Sequence, residues 1–226
     1  MSLRRTFEVF RVELRHNFRR PLFWVLIVLL GLVAWGLSAG NVHIQTGDSN
    51  TGGHKAWITS QFAMGQFISA ITFLFYLFFI AVAAGMVVIQ DEESKVGEVL
   101  HATPLSAGEY VWGKFLAVTS SFLIVLFLQL CLHAFFNHVV VSAKGAEHVG
   151  PFEAWNYIRP ALIFALPMIL FAAGTSYAAG EITRRPILVF FLPIALLLVC
   201  VFFVWSWSPT WLDPRINRVL MLVDPG

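Results

Sequence analysis

Five stretches without a charged side chain divide this sequence: Pro21–Ala39, Phe67–Ile89, Phe115–Phe136, Pro160–Gly180 and Pro186–Trp207. Each holds 19 to 23 residues, and a helix needs about 20 to cross a hydrocarbon layer ~30 Å thick. Charged residues make up only 12% of the chain, half the roughly 25% of soluble domains. These features predict an all-α polytopic membrane helix bundle, one integral membrane domain over residues 1–226. A net charge of +2 and the lack of a basic run interleaved with aromatics exclude a nucleic-acid partner. Cys131 and Cys200 lie inside apolar runs and read as small hydrophobes rather than a disulfide or metal pair. The first run is not read as a signal peptide. Leu37 is a poor residue at position −3 of a cut after Ala39, and about 20 residues precede the run.

Ahead of the first span, residues 1–20 are amphipathic. Leu3, Phe7, Phe10, Leu14 and Phe18 follow helical spacing beside a stripe of Arg4, Glu8, Arg11, Arg15 and Arg19. The pattern predicts an N-terminal interfacial helix whose apolar face dips into membrane lipids. Lys and Arg set the orientation. With the N-terminus cytoplasmic, ten of them fall on the inner segments and five on the outer ones. Trp and Tyr residues gather at both edges of the spans, as interfacial aromatics do. The outer loops, residues 40–66 and 137–159, carry His43, His54, His138 and His148 without ligand-spaced partners, so no metal site is expected. The tail, residues 208–226, is too short and Pro-interrupted to span, and is read as resting on or re-entering the outer surface.

The polar connection of residues 90–114 holds 7 of the 28 charged side chains, far more than a turn between helices needs. Ser106 and Glu109 spell S-x-x-E, a capping box for the third span, and Pro104 breaks whatever helix precedes it. Val96, Val99 and Leu100 form an apolar set outside the bilayer that wants a surface to pack on. The connection is therefore read as a docking surface for a soluble partner.

Glu98, Leu100, Thr103, Pro104, Ser106, Glu109, Gly113 and Lys114 fit the run G-T-L-E-x-L-L-x-T-P-x-S-x-x-E-x-x-x-G-K. That run resembles the intracellular loop of ABC-2 type exporter permeases. Lys95, Val96 and Gly97 depart from its G-T-L start, and His101 stands where an aliphatic residue is common. The wording also resembles a subset of bacterial permeases fused to a zinc aminopeptidase, although no H-E-x-x-H is present in this chain. The resemblance implies the permease subunit of an ATP-driven exporter in a bacterial inner membrane, with no cofactor of its own. ATP and Mg would sit on a separate ABC ATPase subunit, and a second permease half would complete the pathway as a homo- or heterodimer. ATPase docking would fall to Lys95, Val96, Gly97, Glu98, Val99, Leu100, His101, Thr103 and Pro104. The family usually has six spans with re-entrant helices before the sixth. Residues 208–226 fit the re-entrant part, and the sixth is missing.

Residues 108–114 also spell G-x-x-x-x-G-K. Phe115 follows where a magnesium-binding hydroxyl belongs, and no strand precedes, so nucleotide binding is rejected. Inside the third span Gln129 and His133 lie one turn apart, either as helix glue or as a pathway contact. Ala172, Ser176 and Gly180 allow close helix approach on the fourth. Two rival readings remain. One is a membrane enzyme using His133 with Gln129 or Ser176; the other is an anchor or assembly module that moves nothing.

Overall fold

The computed structural model describes residues 2–39, 44–46, 49–51, 57–93, 105–140, 149–183 and 185–199. Helix α1 runs over Leu3–Arg19 and α2 over Pro21–Ser38. Arg20, extended at φ −73° and ψ 133°, separates them, and Pro21 opens α2, where a missing N–H costs nothing. A short hairpin, β1 (Ile44–Thr46) with β2 (Ser49–Thr51), pairs Ile44 with Thr51. It is the one strand pair among the described residues, and the bundle itself is all-α as expected. Next comes a rod made of α3 (Gln61–Ile71), a π-helical turn (Thr72–Tyr76) and α4 (Leu77–Glu93). Ser60 caps its start by accepting from the Ala63 amide at 3.3 Å. Helix α5 runs unbroken through 32 residues, Ala107–His138.

A further rod joins α6 (Ala154–Pro160), a π-helical turn (Ala161–Ala165) and α7 (Leu166–Thr183). Pro160 supplies no amide and cannot close an ordinary helical bond, so a widened turn beside it is where such a helix gives. The π turn at Thr72–Tyr76 has no proline and no comparable local cause. Helix α8, Pro186–Val199, is the described part of the last apolar run. Four stretches among the described residues are long and apolar enough to cross a membrane: Pro21–Ser38, Gln61–Val87, Ala107–His138 and Ala154–Thr183. The second, third and fourth reach beyond their apolar runs because caps and polar contacts, not hydrophobicity, set their ends.

Packing centres on two helices. Helix α4 lies mainly against α7 and α8, while α5 carries α2 along one side and α1 along its first half. Leu26, Leu30, Phe67, Ile80, Val125 and Ile169 meet in one buried core. Ala172, Ser176 and Gly180 form a buried stripe on α7. Such small residues let backbones approach closely where lipid offers no hydrophobic drive.

Candidate functional site

The expected docking residues Lys95 through Pro104 lie outside the described residues. The described residues beside them form the exit of the connection into α5. Ser106 Oγ accepts from the Glu109 amide at 3.3 Å, and the Ser106 amide donates to Glu109 Oε2 at 3.1 Å. Both halves of the expected capping box are thus present. Glu109 Oε1 also accepts from the Ser2 amide at the start of α1.

From there α1 stays against α5. A Cβ added at Gly113 would sit 2.7 Å from Val9 Cβ and 3.0 Å from the Thr6 carbonyl oxygen. Only glycine admits that approach. One residue on, Lys114 Nζ lies 3.7 Å from Glu13 Oε2, the two side chains 8% and 11% exposed, and 4.8 Å from the centre of the Tyr110 ring. Farther along, Asn17 Nδ2 donates to Ser121 Oγ at 3.3 Å, and Ser121 Oγ donates to the Ala117 carbonyl at 2.8 Å. Glu109, Gly113, Ala117 and Ser121 form one i, i+4 stripe of α5. Thr6, Glu13 and Asn17 are the buried residues of α1. The Leu3 and Phe7 side chains of the expected lipid face point away, 85% and 60% exposed.

Periodicity of hydrophobic residues could not find this face, because its contacts are polar pairs and a missing side chain. The only signal was Glu13 and Asn17 one turn apart, set off from the arginine stripe.

A second polar group lies deep in the bundle. Tyr76 Oη donates to Gln129 Oε1 at 2.7 Å. His133 Nδ1 lies 2.8 Å from the Gln129 carbonyl oxygen, and the His133 ring meets Phe67 edge-on at 4.6 Å. All three polar side chains are at most 1% exposed. Among the described residues, Gln129 Nε2, His133 Nε2 and Thr72 Oγ1 have no hydrogen-bond partner. Ser176 Oγ is likewise buried and unpartnered, so Ser176 and His133 are not joined as a nucleophile and base would be. Sequence reasoning missed Tyr76, which sits in an apolar run where its ring reads as one more aromatic.

At the far end of α5, Tyr157 Oη accepts from Asn137 Nδ2 at 3.3 Å and lies 2.9 Å from His138 Nε2. Among the described residues no group of three or more metal-ligating side chains could hold an ion.

The model of a family described as ABC-2 family transporter protein matches residues 38–223. No curated protein matches the chain.

Proposed function

The chain belongs to the ABC-2 transporter family, and from that premise we propose that it is the permease half of an ATP-driven exporter, moved by a separate ATPase subunit docked on the connection into α5. Membership in the family makes it an integral membrane transporter subunit, and the family implies an ATPase partner. The remainder of the reading is ours. Residues Lys95 to Pro104 touch the ATPase, the N-terminus is cytoplasmic, and α1 lies along the inner interface. The last apolar run completes five spans, and a second permease half closes the pathway in what we read as a bacterial inner membrane.

One observation supports the coupling: the helix leaving the connection is also the longest uninterrupted α-helix among the described residues. At 1.5 Å per residue, the 32 residues of α5 reach about 48 Å, some 18 Å more than the hydrocarbon is thick. Its first turns hold the cap and α1, its second half carries Gln129 and His133, and its last turn bonds Tyr157 through Asn137. Displacement of the connection reaches the membrane centre through one rigid rod rather than a hinge. For ATP to bias the pathway, the ATPase must contact the connection differently in its two states. In this reading Gln129 holds α5 to the π turn through Tyr76, and His133 packs against Phe67 of α3. An enzyme using His133 with Ser176 has no supporting contact.

The test is capture of the ATPase by Glu98→Arg and Leu100→Asp chains. We expect capture to be lost while membrane insertion stays intact. Unchanged capture by both variants would remove the docking role of the connection.

A further inference from the structure

Two rods leave a groove of about 460 Å³ at the end of the bundle away from α1. Its position follows from α5, whose first half binds α1 through Glu109 and Ser121 and whose last turn binds Tyr157. Tyr157 is two residues before Arg159, which lines the groove with Gln61, Gln66 and Ser69. Phe62 and Phe164 form its apolar wall, 65% and 42% exposed. The Arg159 guanidinium reaches Gln61 Oε1 at 3.4 Å, a long bond, and among the described residues it has no carboxylate partner.

We propose that this groove binds the phosphate headgroup of an anionic membrane phospholipid, with Arg159 on the phosphate and the acyl chains leaving along Phe62 and Phe164.

The chemistry at the two ends selects the occupant. A guanidinium presents a planar fork of donors that matches phosphate oxygens and is more weakly hydrated than an ammonium. Gln66 and Ser69 add neutral donors on the same wall. A purely apolar occupant would strip water from Arg159 without replacing its hydrogen bonds, at a large cost. A small free anion would leave the two aromatic faces without a partner. A cation is repelled. An amphiphile carrying negative charge satisfies both ends at once. The volume falls in the 300–1,000 Å³ range of small-molecule sites. It admits a headgroup and the first acyl carbons but no whole lipid, so the tails must run out along the helix surface. Arg159 directly precedes the apolar run that starts at Pro160, which places its charge at headgroup depth.

The test uses the full chain, released from vesicles of equal phosphatidylglycerol and phosphatidylcholine into mild detergent, with retained lipids counted by native mass spectrometry. Wild type should retain phosphatidylglycerol in roughly tenfold preference, the scale of one charged hydrogen-bonding contact. Arg159→Gln should bring the ratio near parity, and Arg159→Lys should keep part of the preference. Ser69→Phe, which fills the groove and leaves the charge alone, should reduce retention, and it keeps the test decisive if Arg159→Gln fails to insert. Undiminished preference in Arg159→Gln, or undiminished retention of phosphatidylglycerol in Ser69→Phe, overturns the proposal. So does displacement of the lipid by millimolar inorganic phosphate, which would assign the groove to a free anion. Variants that keep their lipid but lose self-association would assign it to a second copy of the chain, also against the proposal.

Discussion

Replacing Gly113 by alanine should separate α1 from α5, and the expected size can be worked from neighbouring glycines. The added Cβ would meet Val9 Cβ and Cγ1 at 2.7 Å and the Thr6 carbonyl oxygen at 3.0 Å. Two of those three atoms cannot rotate away, since a Cβ and a carbonyl oxygen move only with the main chain. Overpacking of this kind costs about 1–3 kcal/mol. Alanine in place of glycine returns roughly 1 kcal/mol of helix propensity, so the net loss should be about 0–2 kcal/mol. Gly174→Ala isolates the clash. Gly174 also lies within a helix and has nothing within 4 Å of its would-be Cβ, so that variant should gain stability from propensity alone. The gap between the two variants is then the clash itself, roughly 1–3 kcal/mol. Thermal unfolding in nanodiscs measures it. A disulfide engineered between Asn17→Cys and Ser121→Cys, whose native side-chain atoms lie 3.3 Å apart, reports docking of α1 directly. Its yield should fall in the Gly113→Ala background and stay unchanged with Gly174→Ala. Equal stability of the two variants with an undiminished disulfide would refute the close approach and, with it, the joint motion of α1 and the connection.

Other perturbations test neighbouring contacts. Lys114→Met leaves Glu13 charged and largely enclosed, and should destabilise by about 3 kcal/mol; the Glu13→Leu/Lys114→Met pair should lose less than that single change, read as a double-mutant cycle of thermal midpoints. Ser106→Ala removes the cap of α5 and should cost about 1 kcal/mol, detectable as faster hydrogen exchange at the Glu109 amide. Tyr76→Phe removes the hydroxyl bonded to Gln129 and should cost on the order of 1 kcal/mol, with most of the loss recovered in Tyr76→Phe/Gln129→Leu. Transport by a His133→Ala chain should persist, while its abolition with insertion and assembly intact would revive a chemical role for that ring.

The features that were legible in the sequence are those written in residue type at fixed spacing. Ser106 and Glu109 are such a pair, because a hydroxyl and a carboxylate three residues apart are what the free amides of a helix start require. Gln129 and His133 are another, since any two residues four apart on a helix are neighbours. The role of Tyr76 was illegible because its hydroxyl reaches Gln129 across 53 residues of sequence, and nothing in an apolar run names so distant a partner. The π turns escaped for a similar reason, being settled by packing and, at one of them, by Pro160. The extra turns over residues 61–66 and 154–159 lie beyond the apolar pattern and follow from Ser60 and from contacts at the bundle's end.

The G-x-x-x-x-G-K run of residues 108–114 ties these observations together. As a phosphate loop it would need both glycines to open the backbone to a ligand and the lysine to reach a phosphate. Here the two glycines behave differently. A Cβ at Gly108 would meet nothing within 4 Å among the described residues, whereas one at Gly113 would strike Val9 and the Thr6 carbonyl. The lysine points at a carboxylate of this same chain, Glu13. Each position from Ser106 to Lys114 that fits the exporter run thus holds the start of α5 mechanically. Ser106 and Glu109 close the cap, Glu109 also takes the α1 amide, Gly113 admits α1, and Lys114 fixes it. A pull on the connection cannot shift the start of α5 without carrying α1 along or breaking a poorly solvated ion pair. If an ATPase moves the connection as proposed, that constraint makes the N-terminal helix part of the moving body rather than a passive float on the lipid surface.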